Sequence, residues 1–327
     1  MKYFSHYSVL LEECLSHLGN KGNEFPYLFA DCTFGGGGHS LELLKRFSQA
    51  RLIAFDQDPE AFVNGLEILK DKGYKNRSEL HHENFSCFPE LYSSNCFRSK
   101  DEKFDGILLD LGISSHHVDK AERGFSFRKE APLDMRMNSA DSTIETACDV
   151  VNTYSEEDLA NIFFKYGEEK WARRIASKII EERSRNEIKT TLDLDNIIFH
   201  CYPKKMRYGK SHPSTRSFQA LRIYINKELQ VIEEIIPKLF PLLKDQGVLA
   251  IISFHSLEDR IVKFAFKDLA KLENNCRIIT KKPLVPGPIE LEENSRSRSA
   301  KLRVVHKDSR NEEYGHKKKK YQKKYKV

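Results

Sequence analysis

Four consecutive glycines in the stretch Asp31 to His39 (DCTFGGGGH) constrain this chain most, because they stand between a strand-like run and a helix-like run. A turn of that composition lets main chain come within contact distance of a ligand. Upstream, Tyr27 to Thr33 (YLFADCT) reads as a buried strand, and downstream Ser40 to Phe47 (SLELLKRF) carries leucines at helical spacing. A second strand, Arg51 to Phe55, runs into Asp56, which puts a carboxylate 25 residues after Asp31 at the tip of a neighbouring strand. In a doubly wound nucleotide fold an acid at that place accepts hydrogen bonds from ribose hydroxyls. The spacing therefore predicts a ribose-bearing ligand.

Strand and helix signals alternate over the first part of the chain, which predicts a mostly parallel sheet in an α/β fold. A helix over Val9 to Leu18 precedes the glycine turn, Pro59 opens another helix, and short strands follow at Leu80 to Phe85 and Phe104 to Leu109. From Gly124 to Lys210 the periods are helical, with no convincing strand. There Trp171, Ile175 and Ile179 share one stripe of the segment Glu168 to Arg183. Strand logic resumes after a long helix, Gln219 to Leu243, with the continuously apolar Gly247 to Phe254 (GVLAIISF) suited to a central strand. Cys276 to Lys282 and Leu302 to His306 are candidate edge strands. The expected organisation is a nucleotide-fold domain in two parts, 1–123 and 213–308, an inserted helical domain at 124–212, and a basic tail at 309–327.

The net charge of +6 is concentrated at the end of the chain, where eleven Lys or Arg from Lys301 onward face only Asp308, Glu312 and Glu313. That tail either solubilises or holds a polyanion. A second basic run, Pro203 to Arg222, carries six Lys or Arg and no acid. With Tyr202, Tyr208 and Phe218 interleaved, it favours nucleic acid over a small acidic metabolite. Seven widely spread cysteines without a CxxC pair are poor material for a disulfide framework. With no long apolar span and no signal peptide, the expected home is the cytoplasm, away from membranes.

Three nucleotide readings compete at the glycine turn. A phosphate-cradling loop needs GxxxxGK before Ser or Thr, and the GKS at Gly209 to Ser211 has Lys204 where its first glycine belongs. A dinucleotide site wants a third small residue, and Ser40 stands there instead of glycine or alanine. S-adenosylmethionine has a ribose but no phosphate, so an open turn and a ribose acid suit it best. After the fourth strand, Asp110 to Ser115 (DLGISS) occupies the carboxyl edge where amino-methylating enzymes keep an Asp or Asn to accept from the target amine. Asp110 is thus the candidate catalytic residue, with cofactor binding or helix capping as alternatives. Nearby, His255 to Arg260 (HSLEDR) offers either a proton acceptor or a capped helix start. Phe125 and Phe127 either pack a domain junction or stack a base withdrawn from its helix.

Together with HYSVLLEE, AFDQDP, ERGFSFR, PLDMRMN, YGEEKWARRIA, HPSTRSFQALRIYIN, IISFHSLEDRIVK and SRSAKLRV, these stretches make the chain resemble the RsmH (MraW) family from His6 to Val304. That family methylates the exocyclic amine of a cytidine in the decoding region of bacterial 16S ribosomal RNA. The resemblance implies a Rossmann-like class I methyltransferase fold and S-adenosylmethionine as cofactor. By position, it implies that Gly37, Gly38 and His39 line the methionine end, that Asp56 takes the ribose, that Phe85 flanks the adenine and that Asp110 closes the pocket. His117 would also touch the cofactor, although the family usually has Pro-Gln where this chain has His116 and His117. The expected partner is 16S rRNA or the small subunit, bound by a monomer or homodimer without a metal. An NAD-dependent oxidoreductase of the same fold and a non-catalytic RNA-binding assembly factor stay open.

Overall fold

Seven strands form one sheet in the order β3-β2-β1-β4-β5-β7-β6, where β1 is Leu28–Asp31, β2 Arg51–Asp56, β3 Ser78–His82, β4 Phe104–Asp110, β5 Leu243–Ser253, β6 Cys276–Ile278 and β7 Lys301–Lys307. This computed structural model describes residues 8–94, 97, 102–114, 119–209 and 211–309. β1 to β5 pair in parallel, whereas β7 runs antiparallel to both β5 and β6. The order reverses beside β1, with β2 on one side and β4 on the other. That is the point where an open doubly wound sheet leaves a crevice at its carboxyl edge. The result is the mostly parallel α/β sheet expected from the alternation, in the Rossmann-like arrangement that the resemblance implies.

Both faces of this sheet are covered, which is why the middle of its central strands, such as Ile107 to Leu109 and Val248 to Ile252, is continuously apolar. On one face Leu28, Ala30, Ile107, Leu109, Leu249 and Ile251 join a core with the helix residues Ile232, Ile236 and Phe266. The opposite side chains, Phe29, Leu108, Val248, Ala250 and Ile252, join Leu15, Leu18, Leu43 and Leu44. Six described cysteines are unpaired, four of them buried, so they act as small core residues. Among the described residues no helix is long and apolar enough to cross a membrane.

The chain divides into two units, Met1–Gly112 with Leu229–Val327, and Ile113–Glu228. The second unit is helical, and its described backbone contains one isolated bridge, Pro132 to Thr190, and no strand. Capping boxes at Thr146 with Asp149 and at Thr190 with Asp193 start two of its helices. Ile175 and Ile179 are fully buried in its core and Trp171 packs against them in part. Phe125 is also buried in this core, and the neighbouring glycine explains how: Gly124 has φ +74° and runs against the main chain of Pro132 and Asp134. The Arg123 guanidinium donates to the carbonyls of Arg136 and Met137, so the motifs ERGFSFR and PLDMRMN are knitted to each other.

Several element boundaries differ from the periodicity. The expected helix from Gln219 to Leu243 is two helices, Ser214–Ile225 and Glu228–Leu239, separated by Lys227 at φ +50°. Asn226 makes the break by accepting from the Met137 amide and donating to the Met135 carbonyl, neither of which a helical pattern can reveal. The third strand ends at His82, because the Asn84 side chain caps the Ser86 amide and turns Phe85 into a 3-10 turn. β5 starts four residues before Gly247, and β7 is interior to the sheet, leaving β6 at the edge.

Candidate functional site

Asp31, at the tip of β1, organises the glycine turn. Its buried carboxylate accepts from the Thr33 amide (3.0 Å) and from the hydroxyl of Ser40 (2.6 Å), the latter on the following helix Gly38–Arg46. The Thr33 hydroxyl in turn accepts from the Asp110 amide at 2.7 Å, tying the tip of β1 to that of β4. Gly37 sits at φ +77° just before the helix, a conformation that strains any residue with a Cβ. The helix begins at Gly38, inside the glycine run rather than at Ser40. His39 is buried on its first turn, and its Nε2 donates to the Val9 carbonyl at 3.0 Å. Its Nδ1 lies 3.7 Å from Asp110 Oδ2.

Asp56 ends β2 and reaches back to the turn. One carboxylate oxygen accepts from the Gly35 amide (2.7 Å) and the other from the Asp58 amide (2.8 Å). Each oxygen retains a lone pair for a further donor. Removal from water, only partly offset by those two amides, pushes this carboxyl up to about 7. Beyond β3, Asn84 donates to the Gln57 side chain at 2.7 Å, and Phe85 packs half-buried against the core face that carries Phe55.

Asp110 ends β4 with one buried oxygen, Oδ1, that has no hydrogen-bond partner. Burial holds its carboxyl well above the usual carboxylate range, and the nearby charges of Asp31 and Glu258 push the same way. Glu258 belongs to the capping box of the helix Ser256–Leu272, where it accepts from the Phe254 and His255 amides. The HSLEDR segment is therefore a capped helix start, and its Asp259 is held by Lys301 and Arg303.

The structure thus gathers Gly37, Gly38, His39, Asp56 and Asp110 around one crevice edge, with Phe85 following β3. His117 and its neighbour His116 lie outside the described residues. Among the described residues, no lysine or arginine forms an ion pair with Asp31, Asp56 or Asp110. A diphosphate would therefore find no cation among these residues to offset its charge. Sequence reasoning missed Thr33, Ser40, Asn84 and Gln57 as supports, and also Glu290, whose carboxylate accepts from the Leu10 amide at 2.9 Å beside the carbonyl that holds His39. Only the spacing of Ser40 from Asp31 within one motif offered a signal. The others are contacts made by the fold.

The MraW methylase family model matches residues 3–308. This chain belongs to that family. Ribosomal RNA small subunit methyltransferase H of Clostridioides difficile is 45% identical over 321 residues, spanning 93% of this chain and 99% of that protein. The protein of the same name from Clostridium botulinum is 46% identical over 319 residues, with the same coverage. Its namesake in Picosynechococcus is 45% identical over 302 residues, spanning 92% and 96%. As a member of the MraW methylase family the chain takes S-adenosylmethionine as its methyl donor, and the crevice fits that cofactor. Asp56 keeps lone pairs for further donors, the Asp110 side chain is 19% exposed at the tip of β4, and neither acid has an arginine or lysine partner among the described residues.

Proposed function

We propose that this chain transfers a methyl group to the exocyclic N4 amine of a cytidine in the RNA of the small ribosomal subunit, by direct displacement. The names of its relatives support the RNA, and the resemblance to the RsmH (MraW) family supports the cytidine. The observation that carries the chemistry is the place of Asp110 at the carboxyl end of β4, its side chain 19% exposed and, among the described residues, without a lysine or arginine partner. In this reading Gly37, Gly38 and His39 hold the methionine end of the cofactor, Asp56 the ribose, and Phe85 one face of the adenine. When bound, S-adenosylmethionine supplies a methyl group activated by the adjacent sulfonium. The lone pair of a cytosine amine is delocalised into its ring, and Asp110, accepting from the amine N–H, returns density to nitrogen and aims it. No covalent enzyme intermediate is required. Cys32, next to the turn, is fully buried with its thiol pushed well above the ordinary range, so it is no nucleophile.

Asp56 gives this reading a pH signature. Ribose hydroxyls donate best to an ionised carboxylate, yet in the free protein this group carries a proton below about pH 7. Cofactor affinity should be full above that pH and fall about tenfold per unit below it, as the proton competes with the sugar. Isothermal titration of adenosylhomocysteine between pH 5.5 and 8.5 measures this, and Asp56→Asn should flatten the profile. An unchanged affinity across the range would remove Asp56 from the ribose.

The reaction is tested with radiolabelled cofactor and small subunits from cells that lack the enzyme, followed by mass spectrometry of the nucleosides. Label in N4-methylcytidine is expected. Label only in another nucleoside, or none, overturns the assignment.

A further inference from the structure

The helical unit carries an aromatic ladder that runs from its core into solvent. Phe218, 4% exposed, meets Phe127 edge-on at 5.1 Å, and Phe127 stacks on His212 at 4.7 Å and 22°. His212 stacks on Phe199 at 5.7 Å and 23°, and Phe199 meets Tyr208 edge-on at 5.9 Å. Tyr208 is 86% exposed, a large ring left in water at the end of an ordered series. The Arg207 guanidinium lies 5.2 Å from the Phe199 ring and donates to the carbonyls of Tyr202 and His200, not to an acid. Lys204 and Lys205, on the turn just before it, are exposed, and among the described residues no carboxylate forms an ion pair with either. Of the acids in contact with this cluster, Glu169 is buried and accepts from the Tyr202 hydroxyl, while the partly exposed Asp195 accepts from the Ser214 hydroxyl and lies 3.5 Å from His212.

We propose that this face is a base-stacking platform for single-stranded RNA, with Tyr208 as the stacking ring and Lys204, Lys205 and Arg207 as phosphate contacts. The occupant follows from combining the two features. Cations whose charge is not cancelled attract a polyanion, and an exposed ring flanked by them offers a π-face that every unpaired base can use. A duplex keeps its base faces stacked and cannot use the ring. An acidic protein segment needs the cations but not Tyr208. The biological sense of the platform rests on the proposed RNA substrate, but its physics does not.

The test is fluorescence anisotropy of the full chain with a labelled, unstructured oligouridine, paired with photocrosslinking of a 4-thiouridine version. Tyr208→Ala should weaken binding about tenfold while Tyr208→Phe retains it, because the loss of one stacked base is involved. Replacing Lys204 and Lys205 by alanine should reduce the slope of log affinity against log salt by about 1.4. Crosslinks are expected within Tyr202–Gly209, and duplex RNA should be indifferent to Tyr208. Wild-type oligouridine affinity in Tyr208→Ala, or crosslinks confined to other segments, would overturn the platform. An equal effect of Tyr208→Ala on an acidic peptide would do so too. If rRNA receives no methyl group but oligouridine binding still depends on Tyr208, the functional reading fails and the platform stands. If methylation proceeds and Tyr208 is irrelevant to binding, the reverse holds.

Discussion

Replacing Asp110 by alanine should lower single-turnover methyl transfer by roughly 10²–10⁴-fold at saturating cofactor, the range spanned by loss of one positioned acid–base or electrostatic group. Saturation separates this loss from any weakening of cofactor binding. Asp110→Asn should retain far more activity, within about tenfold of wild type, because an amide oxygen still accepts from an amine N–H. The electrostatics favour that substitution. Buried beside Asp31 and Glu258, the free protein's Asp110 is held toward its neutral form, which an amide resembles. For the same reason neither variant should unfold more easily than wild type, since each removes an acid crowded by other acids. Thermal melts of the variants check this, and rapid-quench turnover of Asp110→Ala at the wild-type rate would end the case for Asp110.

The second large effect is on stability. Gly124→Ala should cost about 3 kcal/mol, whereas Gly73→Ala should cost about 1 kcal/mol. The two glycines share nearly the same backbone, φ +74° and φ +75°, so the left-handed strain is common to both. Their surroundings differ. A Cβ on Gly73 meets nothing within 4 Å, while one on Gly124 falls 2.5 Å from the Pro132 carbonyl oxygen and 2.7 Å from the Asp134 amide nitrogen. Both neighbours are main chain and cannot swing aside. Urea unfolding of the two variants gives the difference directly, and equal midpoints would mean that the loop around Pro132 yields at little cost.

What the sequence made legible is what short-range pattern controls. The strand, glycine turn and helix around Asp31 to Phe47 are written in adjacent residues, and the acids Asp56 and Asp110 announce themselves by ending apolar runs. The parallel sheet follows from alternation alone. Residues that act across the fold stayed hidden. Thr33 looks like a turn residue until the Asp110 amide is found on its hydroxyl, and Lys227 looks helical until Asn226 is seen bonding Met135 and Met137. Phe85 reads as the end of a strand because hydropathy does not register that Asn84 caps the next turn. The ionisation of Asp110 was equally invisible, since it depends on burial and on Glu258, 148 residues further along.

The bond from Glu290 to the Leu10 amide joins residues 280 positions apart, and the neighbouring Val9 carbonyl orients His39. A polypeptide emerging from the translating ribosome therefore completes its glycine turn early but cannot lock the histidine until most of the chain has been synthesised. β7, inserted between β5 and β6, imposes the same delay on the sheet. A chain ended before residue 290 would consequently leave the Leu10 amide without this acceptor, one peptide bond from the carbonyl that holds His39.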